Sequence, residues 1–381
     1  MELKRHLPRL GLALALFFSP FTPAPVLARV SALSNLFVFG DSLSDSGNSK
    51  AISNVATFDT FTFPPSPYFG GRFSNGLVAA EYLWQAFNPG DSSFRASLLP
   101  GGGTNYAVGG ATTGVENFVE VWDVTPDFLK SAYAGKGNAW QLTQFTTPIP
   151  PSFDPETSLF LIWLYPNDPF YLGASGGQGV GTFEGNSSSA GIVLPTAVDN
   201  IIGTIKELST YGATNFLVPN SPDLGLIPEY INDPILSPFF TSLSYDFNMA
   251  LSTALSEMAA NHPELYIEPF RINDLFTEVI GNPGSFGFTD TSSRCIAVVT
   301  CVGGSAAAQS TFLFWDGSHP TTAGHALIGQ RFYQAVYEPV PGPLSVAGGA
   351  VALGWSRRLR RRLRLRSRRT SRSCEGRCRA G

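Results

Sequence analysis

The 381-residue sequence is poor in several chemically informative residues. It has four histidines, four cysteines and three methionines, and 14% of its residues are charged. Nothing repeats at a fixed period of about 20 to 50 residues, which excludes a solenoid or repeat array. No long acidic or polar tract of the disordered type occurs. With 43% hydrophobic residues, the composition is that of a globular protein, and the length favours one large α/β domain.

Basic residues are scarce in the middle of the sequence. The net charge of −4 includes 12 arginines and one glutamate in residues 357–381, whereas residues 29–356 carry 10 basic and 27 acidic side chains. An acidic body of this kind repels a phosphate backbone. We therefore expect no nucleic-acid partner.

Residues 1–28 have the order of a secretory signal peptide. Residues 1–9 are basic, Leu10–Phe18 are apolar, and Val26-Leu27-Ala28 offers small residues for cleavage. This order at the extreme N-terminus predicts an exported protein that is secreted or associated with the cell surface. The alternative interpretation is a short buried helix.

Residues 339–381 carry a second distinctive order. Val340-Pro341-Gly342-Pro343 precedes an apolar stretch, Leu344–Trp355, and an arginine-rich end. Twelve helical residues cover roughly 18 Å, short of the ~30 Å hydrocarbon core of a bilayer. The order resembles the PEP-CTERM sorting tails of bacterial surface proteins, with Gly342 where that family usually has Glu. The resemblance implies sorting and export machinery as a partner, transient membrane contact and surface release; the alternative is a disordered basic extension.

The cysteines form two pairs. Cys295 and Cys301 lie in the body, where oxidising conditions favour a small disulfide-closed loop, and Cys374 and Cys378 lie in the arginine-rich end. No histidine stands at ligand spacing from either pair. The cysteines therefore do not suggest a zinc site.

Short apolar runs alternate with helical patterns along the body. The predicted strands are Leu36–Phe39, Leu159–Leu164, Phe216–Val218 and Leu265–Ile267, and the predicted helices are 198–208, 243–260 and Thr322–Tyr337. This alternation predicts a three-layer α/β/α fold with a central, mostly parallel sheet. Ligand sites in such folds lie beyond the carboxyl ends of the strands. Residues 171–192, rich in Gly and Ser, are predicted to form a mobile surface loop near the site.

Histidine is the scarcest candidate for a catalytic base. After the leader only His262, His319 and His325 remain. His262 stands at a predicted helix end, where capping or exposure is ordinary, and His325 lies within the last predicted helix. His319 follows Asp316 by three residues in the preceding loop, so the carboxylate can hold one imidazole nitrogen while the other faces outward.

A matching serine follows the first predicted strand. The strand runs into Gly40 and presents Ser42 at its carboxyl end, a suitable place for a nucleophile. Ser175 also stands in a G-x-S-x-G sequence, Gly173–Gly177. That elbow requires a strand before it and a helix after it, and a glycine-rich stretch without helical pattern follows here, so Ser175 is rejected.

The sequence around Ser42, Phe37–Asn48, resembles the first block of the GDSL lipase/esterase family, also called SGNH hydrolases. The similarity continues in order through residues 71–76, 105–111, Asn167-Asp168 and 316–319. The resemblance implies a flavodoxin-like α/β domain over residues 29–338, a Ser42–His319–Asp316 triad, and an oxyanion hole made by the N–H groups of Ser42 and Gly110 and the Asn167 amide.

The same resemblance implies an esterase or lipase that forms an acyl-enzyme and uses no metal or organic cofactor; the signal peptide adds that the enzyme is exported. Its ester substrate would be a lipid, a small ester or an acylated glycan. One position departs from the family pattern, because Tyr165 stands where the third block has Gly. The alternatives are an acyltransferase or polysaccharide deacetylase with the same site, or a surface binding protein without turnover, an option that Tyr165 keeps open.

Overall fold

The computed structural model describes residues 32–182 and 193–337. The predicted signal peptide, the C-terminal sorting pattern with Cys374 and Cys378, and residues 183–192 lie outside these ranges. The strands are β1 (Asn35–Gly40), β2 (Ser158–Trp163), β3 (Asn215–Pro219), β4 (Tyr266–Phe270), β5 (Asp290–Arg294) and β6 (Phe312–Phe314). The helices are α1 (Asn48–Thr57), α2 (Ala79–Phe87), α3 (Asp127–Tyr133), α4 (Asn138–Thr146), α5 (Asn167–Ala174), α6 (Val193–Thr210), α7 (Leu236–Asn261), α8 (Ile272–Gly281), α9 (Val299–Val302), α10 (Ala306–Gln309) and α11 (Thr322–Tyr337).

Strands β1 to β4 form a parallel sheet in the order β1-β2-β3-β4. Residues 104–108 run parallel to the other edge of β1, where Tyr106 N–H donates to Val38 O at 2.8 Å and Val108 N–H to Gly40 O at 3.1 Å. The spatial order is therefore 104–108, β1, β2, β3, β4, which is the flavodoxin-like order. The winding direction changes at β1, and the crevice beyond its carboxyl end is the expected place for a site.

Alternate side chains of the strands face two separate cores. Phe37, Phe39 and Phe160 pack against α4, α6 and α7, whereas Val38 and Leu161 pack against α2, α8 and α11. Because helices cover both faces, β2 is buried at every position. These layers confirm the predicted α/β/α fold with a central parallel sheet.

The predicted mobile loop at 171–192 is wrong for its described part. Residues 171–174 form the second half of α5, and Val180 O accepts the N–H of Val115 at 2.7 Å. The backbone of Gly181 is also held, because Asn200 Nδ2 donates to its carbonyl oxygen at 3.0 Å. A composition rich in Gly and Ser gave no sign of these long-range contacts.

A small second sheet joins β5 to β6 beside the site. Just after β5, a disulfide connects Cys295 and Cys301, the pair that the sequence predicts, with Cα atoms 5.3 Å apart. Both cysteines are buried against Trp315. Trp315 immediately precedes Asp316, so the disulfide supports the backbone at one end of the candidate site.

Candidate active site

The candidate residues meet at the carboxyl edge of the central sheet. Ser42 lies two residues beyond β1, Asn167 begins α5 just after β2, and Gly110 follows the segment 104–108. Parallel neighbours end at the same edge, which explains why these three distant positions come together. Asp316 and His319 lie in the loop between β6 and α11.

Ser42, His319 and Asp316 form a continuous line of hydrogen bonds. Ser42 Oγ lies 2.7 Å from His319 Nε2. His319 Nδ1 lies 2.7 Å from Asp316 Oδ2 and 2.9 Å from Asp316 Oδ1. Such an arrangement can move the serine proton to the imidazole while the carboxylate orients the ring.

Asp316 is held by more donors than its own loop supplies. Its Oδ1 accepts the backbone N–H groups of Ser318 at 2.9 Å and His319 at 2.8 Å. Its Oδ2 also accepts the hydroxyl of Tyr68 at 2.7 Å. Burial alone would raise the pKa of Asp316, but His319 and these donors lower it. Asp316 is therefore held in its charged form.

The sequence gives no sign of the role of Tyr68. It stands 248 positions before Asp316, in a proline-containing segment without catalytic pattern. Its ring packs beside Trp315, with centroids 6.3 Å apart. Only the folded chain brings this hydroxyl to the carboxylate.

His319 is positioned by residues 71–76, the segment that the family resemblance includes without a chemical role. The Phe73 ring lies against the imidazole with centroids 5.3 Å apart. Ser74 Oγ donates to Pro320 O at 2.9 Å, just after the histidine. Burial alone would lower the pKa of His319, yet the carboxylates of Asp316 and Asp41 raise it above its ordinary value.

The turn that carries Ser42 is fixed by the carboxylate of Asp45. Asp45 accepts backbone N–H groups of Gly47 and Asn48 at 2.7 Å, of Ser49 at 2.9 Å and of Gly109 at 3.0 Å. The bond to Gly109 ties the nucleophile turn to the strand segment on the other side of β1. Asp45 therefore sets the loop geometry and does not reach the reacting atoms.

Asp41 is completely buried beside Ser42. Its Oδ1 accepts the N–H of Leu43 at 2.9 Å, and within the described residues its Oδ2 has no partner. Desolvation raises the pKa of Asp41 to about 7. The charge on this side chain therefore changes near neutral pH, close to His319.

Gly110 and Asn167 lie beside the nucleophile and face one cavity with it. Gly110 has a φ of +79°, and a Cβ there would lie 2.5 Å from Asn117 Oδ1, so glycine is required twice over. Asn167 Nδ2 donates to Ala111 O at 3.1 Å. A primary amide has two N–H donors, so one orients the side chain and one is left for a ligand.

Tyr165, the departure from the family pattern, retains a backbone that favours glycine. Its φ is +120°, a region that costs a non-glycine residue about 1–3 kcal/mol. The ring is buried and stacks on Phe247 with centroids 3.6 Å apart. Packing of this ring holds the strained residue, and Asn167 still reaches the cavity.

The cavity at Ser42 has a volume of about 220 Å³. Apolar side chains dominate its wall, among them Phe118, Phe170, Leu224 and Ile227. It can hold an apolar group next to the serine hydroxyl. We refer to it as the first cavity.

The remaining sequence candidates lie elsewhere. His325 is buried in α11, accepts the N–H of Ala79 at 3.3 Å, and has its pKa lowered to about 3 by desolvation. His262 ends α7 and pairs with Glu264 at 3.1 Å. Ser175 follows α5 and accepts the N–H of Gln178, so it stands after a helix and not in a strand-to-helix elbow. Over residues 32–182 and 193–337, no group of three His, Cys, Asp or Glu side chains could hold a metal ion.

An α/β/α domain with hydrogen-bonded Ser, His and Asp side chains at the edge of its sheet is typical of serine-dependent hydrolases and acyltransferases. The chain belongs to the GDSL-like lipase/acylhydrolase family, which it matches over residues 36–332.

The curated relatives include proteins named as esterases or lipases and one named as an acyltransferase. A GDSL esterase/lipase of Arabidopsis thaliana is 26% identical over 334 residues, covering 78% of this chain and 86% of that protein. GDSL esterase/lipase ENOD8 of Medicago truncatula is 25% identical over 388 residues, covering 90% and 96%. Phosphatidylcholine-sterol acyltransferase of Aeromonas hydrophila is 25% identical over 353 residues, covering 81% and 92%.

Proposed function

We propose that this chain is an exported serine hydrolase that cleaves carboxylic esters through an acyl-enzyme on Ser42. The observation that carries the proposal is the bond of 2.7 Å between Ser42 Oγ and His319 Nε2, continued by 2.7 Å from His319 Nδ1 to Asp316. His319 takes the serine proton as Ser42 Oγ attacks the ester carbonyl. Asp316 stabilises the imidazolium that results.

The negative charge on the carbonyl oxygen would be stabilised by three N–H donors. They are the backbone groups of Ser42 and Gly110 and the free N–H of the Asn167 amide, all of which border the first cavity. Collapse of the intermediate expels the alcohol, which takes a proton from His319. Water activated by the same histidine then releases the acid.

The direct test is hydrolysis of p-nitrophenyl acetate, butyrate and octanoate by the full-length chain. We expect turnover that Ser42→Ala reduces by at least about a thousandfold, since the nucleophile, base and acid act as a unit. A fluorophosphonate should label Ser42 in the parent and not in the variant. A folded parent without turnover on any ester and without labelling would leave only a binding role.

Acyl transfer is the second candidate. It is favoured by the similarity to a protein from Aeromonas hydrophila named phosphatidylcholine-sterol acyltransferase. The match covers 81% of the present chain. A transferase would place an alcohol where a hydrolase admits water. Added alcohols should then divert product from free acid to a new ester, and acetylated glycans extend the same comparison to deacetylation.

Export is part of the proposal and is supported by the sequence of both ends. Residues 1–28 supply a basic, an apolar and a small-residue segment, and residues 339–381 resemble a sorting tail. In the described part of the chain, no helix is both long and apolar enough to cross a membrane. Mass measurement of the mature protein would test removal of residues 1–28 and of the C-terminal pattern.

A further inference from the structure

A second cavity of about 570 Å³ adjoins the first cavity at His319. Six residues border both cavities: Phe63, Phe73, Trp122, Glu229, Ser318 and His319. Ser42, Gly110 and Asn167 border only the first cavity, whereas Asp316 and Gly317 border only the second. His319 thus borders two adjoining spaces, of which the first also contacts Ser42 and the second also contacts Asp316.

The alcohol half and the acyl half of an ester take different places when the histidine transfers its proton. When the intermediate collapses, the carbon–oxygen bond to the alcohol breaks and His319 gives its proton to the alcohol oxygen. The acyl carbon stays bonded to Ser42, with its oxygen on the N–H donors. The alcohol therefore departs from the His319 side, while the acyl group remains beside Ser42.

Resting on the proposed function, we propose that the second cavity binds the alcohol half of the ester and selects bulky, uncharged, mainly apolar alcohols. Its volume is that of a site for a ligand of drug size. Its walls are largely aromatic and aliphatic: Phe61, Phe63, Tyr68, Phe73, Val124 and Leu129. These surfaces favour rings and hydrocarbon over hydrated groups.

The charges in the wall support an uncharged occupant. Among the described residues, the wall of the second cavity has two charged side chains besides Asp316 and His319, namely Glu229 and Arg294. They pair with each other at 2.9 Å. Because each of these two side chains already has a partner, the pair offers little attraction to an anionic or cationic alcohol, and a neutral alcohol needs none.

The test varies only the alcohol. Ethyl, 2-phenylethyl and 2-(2-naphthyl)ethyl butyrate have the same acyl group and similar alkoxide leaving groups. With the full-length chain, we expect kcat/KM to rise in that order. Phe61→Ala should lower the ratio of naphthylethyl to ethyl ester about tenfold, because it removes apolar wall from the second cavity only.

Phe170→Ala is the matched control, since Phe170 is also half-buried but borders only the first cavity. It should keep the naphthylethyl-to-ethyl ratio within about twofold and instead lower the ratio of octanoate to acetate hydrolysis. Fluorophosphonate labelling of Ser42 checks that each variant retains a folded site. The labelling tests the proposed function, whereas the alcohol ratios test the role of the second cavity.

A parent that neither turns over any ester nor reacts with the fluorophosphonate overturns the proposed function itself. An active parent whose ratio is unchanged by Phe61→Ala overturns the alcohol site alone. Equal falls in the ratio for Phe61→Ala and Phe170→Ala would overturn the division into two cavities.

Discussion

The junctions after β1 and β2 place two groups at the same site but hold their backbones differently. After β1, the carboxylate of Asp45 accepts four N–H groups and fixes the turn that carries Ser42. After β2, Tyr165 occupies a backbone region that favours glycine, and its ring stacks on Phe247 of α7. The first junction is held by polar contacts and the second by packing from a distant helix.

The difference shows that the backbone after a strand can be held by hydrogen bonds within its own turn or by the packing of a side chain against a distant helix. A change of Gly to Tyr in a motif is therefore no sufficient sign of a lost site. Both junctions still deliver their groups, Ser42 and Asn167, to the first cavity.

Among tests of the second junction, the largest expected effect comes from removing the group that it delivers. Asn167→Ala should lower kcat on p-nitrophenyl butyrate by about 10² to 10³, the usual cost of losing one oxyanion donor. The measurement is kcat per serine labelled by fluorophosphonate. Asn215→Ala is the control, because Asn215 is similarly buried in β3 and bonds the carbonyl groups of Pro155 and Ser158, away from the cavity.

An effect of similar size in both asparagine variants would mean that Asn167 acts through stability. A loss of less than about threefold in Asn167→Ala would remove it from the oxyanion hole. The two junctions would then differ in how their backbones are held, but the second would deliver no group to the reaction.

An intermediate effect is expected when the strained residue itself is replaced. Tyr165→Gly loses an aromatic ring, at about 3–5 kcal/mol, but recovers about 1–3 kcal/mol of backbone strain. The free energy of unfolding should therefore fall by about 2 kcal/mol. Phe247→Ala removes the same stacking without relieving the backbone, so it should cost about 3–5 kcal/mol.

The midpoint and slope of urea unfolding give the free energy of unfolding of each variant, and these two values are compared. Tyr165→Gly must be the less destabilising of the two. If it costs as much as Phe247→Ala, the positive φ of Tyr165 stores no strain, and the two junctions differ less than their dihedral angles indicate.

The smallest effect concerns pH and compares the two carboxylates that raise the pKa of His319. Activity needs neutral His319, so kcat/KM should fall as the pH drops below a pKa higher than about 6.5. Tyr68→Phe removes a donor from Asp316, strengthens its attraction for the imidazolium and should move this inflection to higher pH. Asp41→Asn removes a negative charge near His319 and should move it to lower pH.

The plateau rate of Tyr68→Phe should fall by about fivefold or less, because Asp316 keeps its two backbone N–H donors and its bond to His319. Tyr133→Phe is the control, because Tyr133 is also buried but donates to Ser49 O at 2.9 Å. Its inflection should not move. Shifts of the same sign in Tyr68→Phe and Asp41→Asn would contradict the electrostatic account.

The sequence predicts β1 to β4 and α6, α7 and α11, because those segments have strong periodicity or continuous apolar runs, but not the edge segment 104–108. It does not predict α1 to α4 or α8, which are only 7 to 10 residues long and therefore show too few turns for a clear helical period. Ser42, Asp316 and His319 are identifiable because each lies within a short local pattern. Tyr68, Phe73, Glu229 and Arg294 are not, since their roles depend on contacts between distant parts of the chain.

The hydrogen bond between Ser42 and His319 joins residues 277 positions apart. The serine lies just after the first strand, and the histidine lies in the loop before the last described helix. A nascent chain therefore carries its serine long before the base that would activate it is synthesised. Under the proposed mechanism, the growing polypeptide stays inert toward esters until nearly the whole domain has emerged from the ribosome, and shortened products that end before His319 are inert as well.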